Sequence, residues 1–178
     1  MALWGNSTTD ESRPKWLRAN DNPGNDLNNC FADERGWVLR HPNGYEEVLV
    51  TVSGLSTKIG NATIAGVYFN AASYAKNATG TVVVNYNEKV TVSGGATIGV
   101  AGTTTGTIVG TAVTQTAVQQ VAFTFTVPNT TQVLSIRPGS ITGTIVDAIG
   151  GATSDKVFVS GEVKGVGGVG IVTTISVA

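Results

Sequence analysis

The chain is 178 residues long, 41% hydrophobic and only 13% charged, with a net charge of −1 and a pI of about 5.7. A chain of that length can bury a sizeable core. Its sparse, balanced charge argues against the clustered basic face that usually holds nucleic acid, and its single cysteine, Cys30, excludes an intrachain disulfide scaffold.

The first residues, Met1-Ala-Leu-Trp-Gly-Asn6, turn polar at once, with no basic and then apolar run of a secretory signal. No stretch approaches the roughly 18 apolar residues of a membrane span. A soluble protein made in the cytoplasm is expected. Asn20-Asp-Asn-Pro-Gly-Asn-Asp26 is a string of turn formers, so residues 1–30 are read as an extended arm with few internal contacts. Within it, Arg13-Pro-Lys-Trp-Leu-Arg18 combines tryptophan with arginine, the residue types favoured as interface anchors. Trp4, Arg13, Lys15, Trp16, Leu17 and Arg18 are therefore the candidate partner-binding residues. For Trp16 and Leu17 two readings stay open: they tuck onto their own chain, or they meet a partner.

Gly36-Trp-Val-Leu-Arg40 and Tyr45-Glu-Glu-Val-Leu-Val-Thr-Val52 flank His41-Pro-Asn-Gly44. Asn-Gly between two strand-like runs predicts a β-hairpin, with Trp37 in the core. Residues 1–52 hold 13 of the 23 charged side chains and all three tryptophans. This change in composition near Ser53-Gly54 divides the chain into an arm and hairpin (1–52) and a second region (53–178).

The second region reads as short strands separated by Gly, Pro and Asn: 63–69, 80–85, 89–92, 97–100, 107–114, 117–127, 132–136, 145–147, 156–164 and 170–177. Val121-Ala-Phe-Thr-Phe-Thr-Val127 alternates strictly, as a half-buried antiparallel strand does. Val and Thr occur 25 times each, and β-branched residues favour pleated surfaces. No stretch keeps a helical period over three turns. The expected fold is all-β, a β-sandwich. Sheets of this kind have edges that invite pairing, so assembly into an oligomer is expected.

No motif offers chemistry. Gly165-Val-Gly-Gly-Val-Gly170 matches a dinucleotide fingerprint, but that site needs a helix and a second strand after the glycines, and eight residues remain. A flexible hairpin turn is the expected reading. His41, the one histidine, precedes a proline in a turn and has no nucleophile elbow near it. The acidic pairs Asp10-Glu11, Asp33-Glu34 and Glu46-Glu47 are read as solvated or salt-bridging side chains rather than a glycosidase pair. Cys30 is read as a small buried hydrophobe. The chain is expected to be no enzyme and to need no cofactor or metal.

Two resemblances add to this. Met1-Ala-Leu-Trp-Gly-Asn6, Ser12-Arg-Pro-Lys-Trp-Leu17, Cys30-Phe-Ala-Asp-Glu-Arg-Gly-Trp-Val38 and Glu46-Glu-Val-Leu-Val50 together resemble small virion structural proteins of T4-like phages of marine bacteria, cyanophages in particular. This likeness covers roughly residues 1–52. Asn85-Tyr-Asn-Glu-Lys-Val-Thr-Val92, Gln120-Val-Ala-Phe-Thr-Phe-Thr-Val127 and Ile136-Arg-Pro-Gly-Ser-Ile-Thr-Gly-Thr-Ile-Val-Asp-Ala148 are similar to bacterial Ig-like repeat domains of surface and phage proteins. Here Asn87-Glu88 stands where those repeats often carry Ser-Glu, and Ile149-Gly-Gly replaces their common Ala-Gly-Asn.

The resemblances imply an immunoglobulin-like antiparallel β-sandwich behind an extended N-terminal arm and hairpin. They imply a capsid decoration or cement protein on the virion surface, bound to the major capsid protein or another virion protein, and present as a homo-oligomer such as a trimer. No nucleic acid or membrane partner is implied. Two alternatives remain: a neck, tail or fibre-associated subunit, and an Ig-like module that binds glycans weakly. The last needs exposed aromatics, for which Tyr68, Phe69, Tyr74 and Tyr86 are the candidates.

Overall fold

The computed structural model describes Pro14, Trp16, Leu17 and residues 26–57, 59–168 and 173–178. It is an all-β chain built on one large, mostly antiparallel sheet, an arrangement consistent with a β-sandwich.

Three strands come first: β1 (Cys30–Asp33), β2 (Gly36–Arg40) and β3 (Glu46–Thr51). β2 and β3 form the expected hairpin, from Gly36 opposite Thr51 to Arg40 opposite Glu46. The Asn-Gly turn closes it. The His41 N–H donates to the Tyr45 carbonyl at 2.8 Å and the Gly44 N–H to the His41 carbonyl at 2.9 Å. β1 lies antiparallel on the other side of β2. Sequence reasoning missed β1, because its four residues follow directly on a turn-rich stretch. Trp37, Cys30 and Ala32 form a small core with Leu55 and Ile59, so the packing of this sheet runs past residue 53. Gly36 takes φ +134°, and a β-carbon there would stand 2.0 Å from the Val50 carbonyl oxygen. Only glycine lets β2 and β3 come so close.

The body follows: β4 (Ile64–Phe69), β5 (Ser73–Tyr74), β6 (Thr79–Val92), β7 (Thr97–Gly102), β8 (Gly106–Thr111), β9 (Gln115–Thr126), β10 (Gln132–Ser135), β11 (Gly139–Ser140), β12 (Ile145–Asp147), β13 (Val157–Phe158) and β14 (Thr174–Val177). Strand order is β3-β2-β1-β6-β9-β8-β7-β10-β14-β5, with β4 and β12 also on β6, and β11 paired separately with β13. The alternation read in residues 121–127 points Val121, Phe123, Phe125 and Val127 into the main core, against Val82, Val84 and Ile98. Burial of such side chains is worth about 1.5–3 kcal/mol each.

Four expected strands change. Residues 80–85 and 89–92 are one strand, β6, interrupted by a bulge. Its pairing with β9 jumps from Asn85–Gln120 to Val90–Val118, so residues 86–89 face Gln119 alone. Of residues 156–164, only Val157 and Phe158 form a strand, and Val163 makes a single parallel bridge to Val67. The Glu162 carboxylate accepts the Val159 N–H at 2.8 Å and a 3-10 turn, Ser160–Glu162, takes over. Within 170–177 the strand is Thr174–Val177, residues 169–172 lying outside the described ones. The expected hairpin turn at the glycines is instead a 3-10 turn, Val166–Gly168, closed onto the body by the Asn28 side chain, which donates to the Gly168 carbonyl at 2.8 Å.

Candidate interaction surface

Among the candidate anchors, Trp16 and Leu17 are described; Trp4, Arg13, Lys15 and Arg18 lie outside the described residues. Leu17 packs on the small core, beside Leu49, Val50 and Val52, and Pro14 is buried. Trp16, between them, is 62% exposed. The same sheet exposes Tyr45 and Val48, and β3 is its outer strand, paired among the described residues with β2 only.

Where this sheet meets the body, Asp33 and Glu46 are engaged within the chain. Arg35 donates to Asp33 and to Glu46, each at 2.6 Å, Arg40 donates to Glu46 at 2.9 Å, and Lys89 on β6 lies 3.7 Å from Glu46. Arg40 and Lys89 both approach the ring of Phe31, at 5.4 and 5.2 Å. Burial alone would raise the Glu46 pKa, but the hydrogen bonds from Arg40 and Arg35 and the charge of Lys89 outweigh it and bring it down to about 2. The same bonds, from Asp33 and then Glu46, raise the Arg35 pKa. A cleft of about 470 Å³ opens here, lined by Asp33, Glu34, Arg35, Glu46, Lys89 and Ile149. A carboxylate held this acidic is a poor general acid, so the cluster is suited to joining β3 to β6. His41 sits on the exposed turn, 2.9 Å from Glu47. Asp10 and Glu11 lie outside the described residues.

The bulge in β6 holds polar groups that sequence reasoning did not single out. Ala32 of β1 pairs with Glu88, and among the described residues this parallel bridge is the one ladder contact between the N-terminal sheet and the body. Beside it the Asn28 carbonyl accepts from the Asn85 and Gln119 side-chain amides, both at 3.0 Å. Glu88 is fully buried, against buried Asp147 on β12. First desolvation, then the charge of Asp147, pushes the Glu88 pKa up to about 8. Tyr86-Asn-Glu-Lys89 breaks the alternation of the strand, and that break is the signal available in the sequence.

The aromatics offered for glycan binding are otherwise employed. Tyr68, Phe69 and Tyr86 are buried, and the Tyr86 hydroxyl donates to the Asp155 carbonyl at 3.0 Å. Tyr74 is half-buried, stacked edge-on against Phe125 at 6.0 Å. Its hydroxyl accepts the Thr81 N–H at 3.1 Å and lies within hydrogen-bonding reach of Asn70 Oδ1. These rings form no exposed platform, and the glycan reading loses the feature it needs. Among the described residues, no group of three or more His, Cys, Asp or Glu side chains is placed to hold a metal ion.

Comparison of the chain with protein-family models, with curated proteins and with solved structures found no match in any of the three.

Proposed function

We propose that this chain acts by binding and not by catalysis, as a phage virion structural protein: a capsid decoration or cement protein that grips the major capsid lattice through its N-terminal segment. Trp16 carries this reading. Trp16 is 62% exposed, while Pro14 is buried and Leu17 packs on the small core of the sheet. An aromatic side chain presented by a pinned backbone loses little conformational entropy on docking, which is what an interface anchor requires. Asp33, Arg35, Arg40, Glu46 and Glu47 of that sheet are held in ion pairs within the chain, which leaves less of their charge for a partner.

In this reading the body is an Ig-like sandwich, supported by its antiparallel pairing and by the inward alternation of β9. Many copies on one particle, each burying a modest area, together resist internal pressure through multivalency. The experiment is co-sedimentation of the purified chain with capsids that lack it, followed by imaging of the decorated particles. Saturable binding over the head lattice supports the reading. Binding confined to a neck or tail ring would move the protein to that part of the virion, and no binding to any particle component would refute the proposal.

A further inference from the structure

From Val90 to Ile136 the chain has no charged residue. That stretch supplies β7, β8, β9 and β10. β8, Gly106-Thr-Ile-Val-Gly-Thr111, pairs along its whole length with β7, from Gly106 opposite Gly102 to Thr111 opposite Thr97. On its other side it meets β9 at one point, Thr111 opposite Thr124. Below that point the two strands part. They leave an open hollow of about 300 Å³, lined by Thr79, Val109, Thr111, Thr124, Phe125 and Thr126. Among the described residues, Gly106–Gly110 have no ladder partner on this side, so alternate N–H and C=O groups of four or five residues face the opening.

The free edges of this sheet are treated very differently. β3 carries Glu46 and Glu47 at its first two positions, held in ion pairs with Arg35, Arg40 and His41. β5, at the far end, is two residues long. Charge and shortness are the usual devices that keep an edge from pairing with another chain. β8 has neither. It is six residues of Gly, Thr, Ile and Val, with no charge and no proline, and it exposes Val109 to 57%. Short, uncharged, β-branched segments of this composition pair readily with their own kind.

We propose that β8 is a homotypic docking edge: the β8 strands of two copies of this chain pair antiparallel about Ile108 and join the two sheets into one. A second copy fits this edge better than a foreign strand for two reasons on the surface itself. Antiparallel pairing about that residue sets Ile108 opposite its own copy, Thr107 opposite Val109 and Gly106 opposite Gly110, so no like charges meet across the seam. The whole chain carries a net charge of −1, which leaves little long-range repulsion between copies. Next to the edge, Thr81, Thr124, Thr111 and Thr97 stand in register across four strands, and Thr97 and Thr142 hydroxyls lie 2.6 Å apart. Hydroxyls donate and accept alike, so this uncharged row can meet its own copy without leaving a charge buried. The inference does not depend on what the N-terminal segment binds.

The test is sedimentation velocity of the full chain over a wide concentration range, with hydrogen exchange read at the low and high ends. A reversible dimer is expected, with amide protection at residues 107–110 rising with concentration and residues 46–51 unchanged. Val109→Lys puts a charge on an exposed position of the edge. It should shift dimerisation at least tenfold to higher concentration while leaving the thermal unfolding midpoint of the monomer in place. Should that midpoint fall, Thr107→Lys, also exposed, serves as the second variant with the same expectation. A chain that stays monomeric throughout, a dimer indifferent to both lysines, or protection that rises on β3 instead of β8 would each overturn the proposal.

Discussion

Glu88 and Asp147 are both buried in the interior, where β6 and β12 pair, and desolvation together with the nearby Asp147 raises the Glu88 pKa. No N–H or O–H donor of the described residues reaches either oxygen of Glu88. Asp147, in contrast, accepts the Ile149 N–H at 2.8 Å and the Gly150 N–H at 3.4 Å. The one hydrogen bond open to Glu88 is therefore the one its own proton makes to Asp147.

This pair makes stability depend on pH. The Glu88 pKa is about 8 in the folded chain and near the usual 4.5 when unfolded. Between those values the folded state keeps a proton that the unfolded state has released. Its stabilising contribution is complete below the unfolded pKa and is lost as pH rises through about 8. Urea unfolding should show stability falling by a few kcal/mol from about pH 5 to pH 8, the size expected of a large shift at a buried site. Glu88→Gln, whose amide can still donate to Asp147, should flatten that slope. An equally steep slope in the variant would place its origin elsewhere.

Glu46 makes the opposite prediction at the acid end. Its pKa lies at about 2 in the folded chain, so its contribution is present above the ordinary carboxylate range and is lost as pH falls through about 2. Because the group is partly exposed, the amount is small, about 1 kcal/mol, and screened by salt. Glu46→Gln should lower stability at neutral pH by that amount and should have no effect near pH 2. Thermal melts at low and high salt measure both.

Gly80 lies directly under the ring of Phe125. A β-carbon at Gly80 would stand 2.3 Å from the ring. Phe125 also packs edge-on with Phe69, at 6.3 Å, and is buried in the main core. Gly80→Ala should therefore cost about 1–3 kcal/mol through overpacking, although alanine suits a strand better than glycine elsewhere. Phe125→Leu in the same background should recover part of the loss. A chemical denaturation double-mutant cycle reads the coupling directly.

Trp16 separates folding from binding. Trp16→Ala removes a mostly exposed side chain and should change unfolding free energy by less than about 0.5 kcal/mol, as exposed substitutions usually do. The same change should weaken capsid binding roughly tenfold or more, the loss typical of an interface tryptophan. Leu17→Ala should do the reverse in the isolated chain, lowering stability, because Leu17 packs on the small core.

Much of this fold is legible in the sequence because period-two alternation and turn chemistry are local. Val121 to Val127 and the Asn43-Gly44 hairpin follow from residues next to one another. What was not legible depends on contacts distant in sequence. β1 exists because Cys30 and Ala32 meet Trp37, Leu55 and Ile59. The β6 bulge exists because the Asn28 carbonyl collects two side-chain amides from β6 and β9. Glu88 illustrates the limit: a glutamate in a polar break between two apolar runs suggests a surface loop, yet it is buried beside Asp147, 59 positions later, on a strand that pairs with β6. For the candidate site, the choice of Trp16 followed from residue type alone. That Leu17 turns inward while Trp16 turns outward follows from tertiary packing.

The central claim is that the chain strengthens a capsid by binding its lattice. The most direct measurement compares DNA-filled capsids lacking the chain with the same capsids after it is added back, and records the temperature at which each releases its DNA. The account predicts a higher release temperature with the chain, reduced again when Trp16→Ala is used in its place. Equal release temperatures with and without the chain, at saturating occupancy, would contradict it.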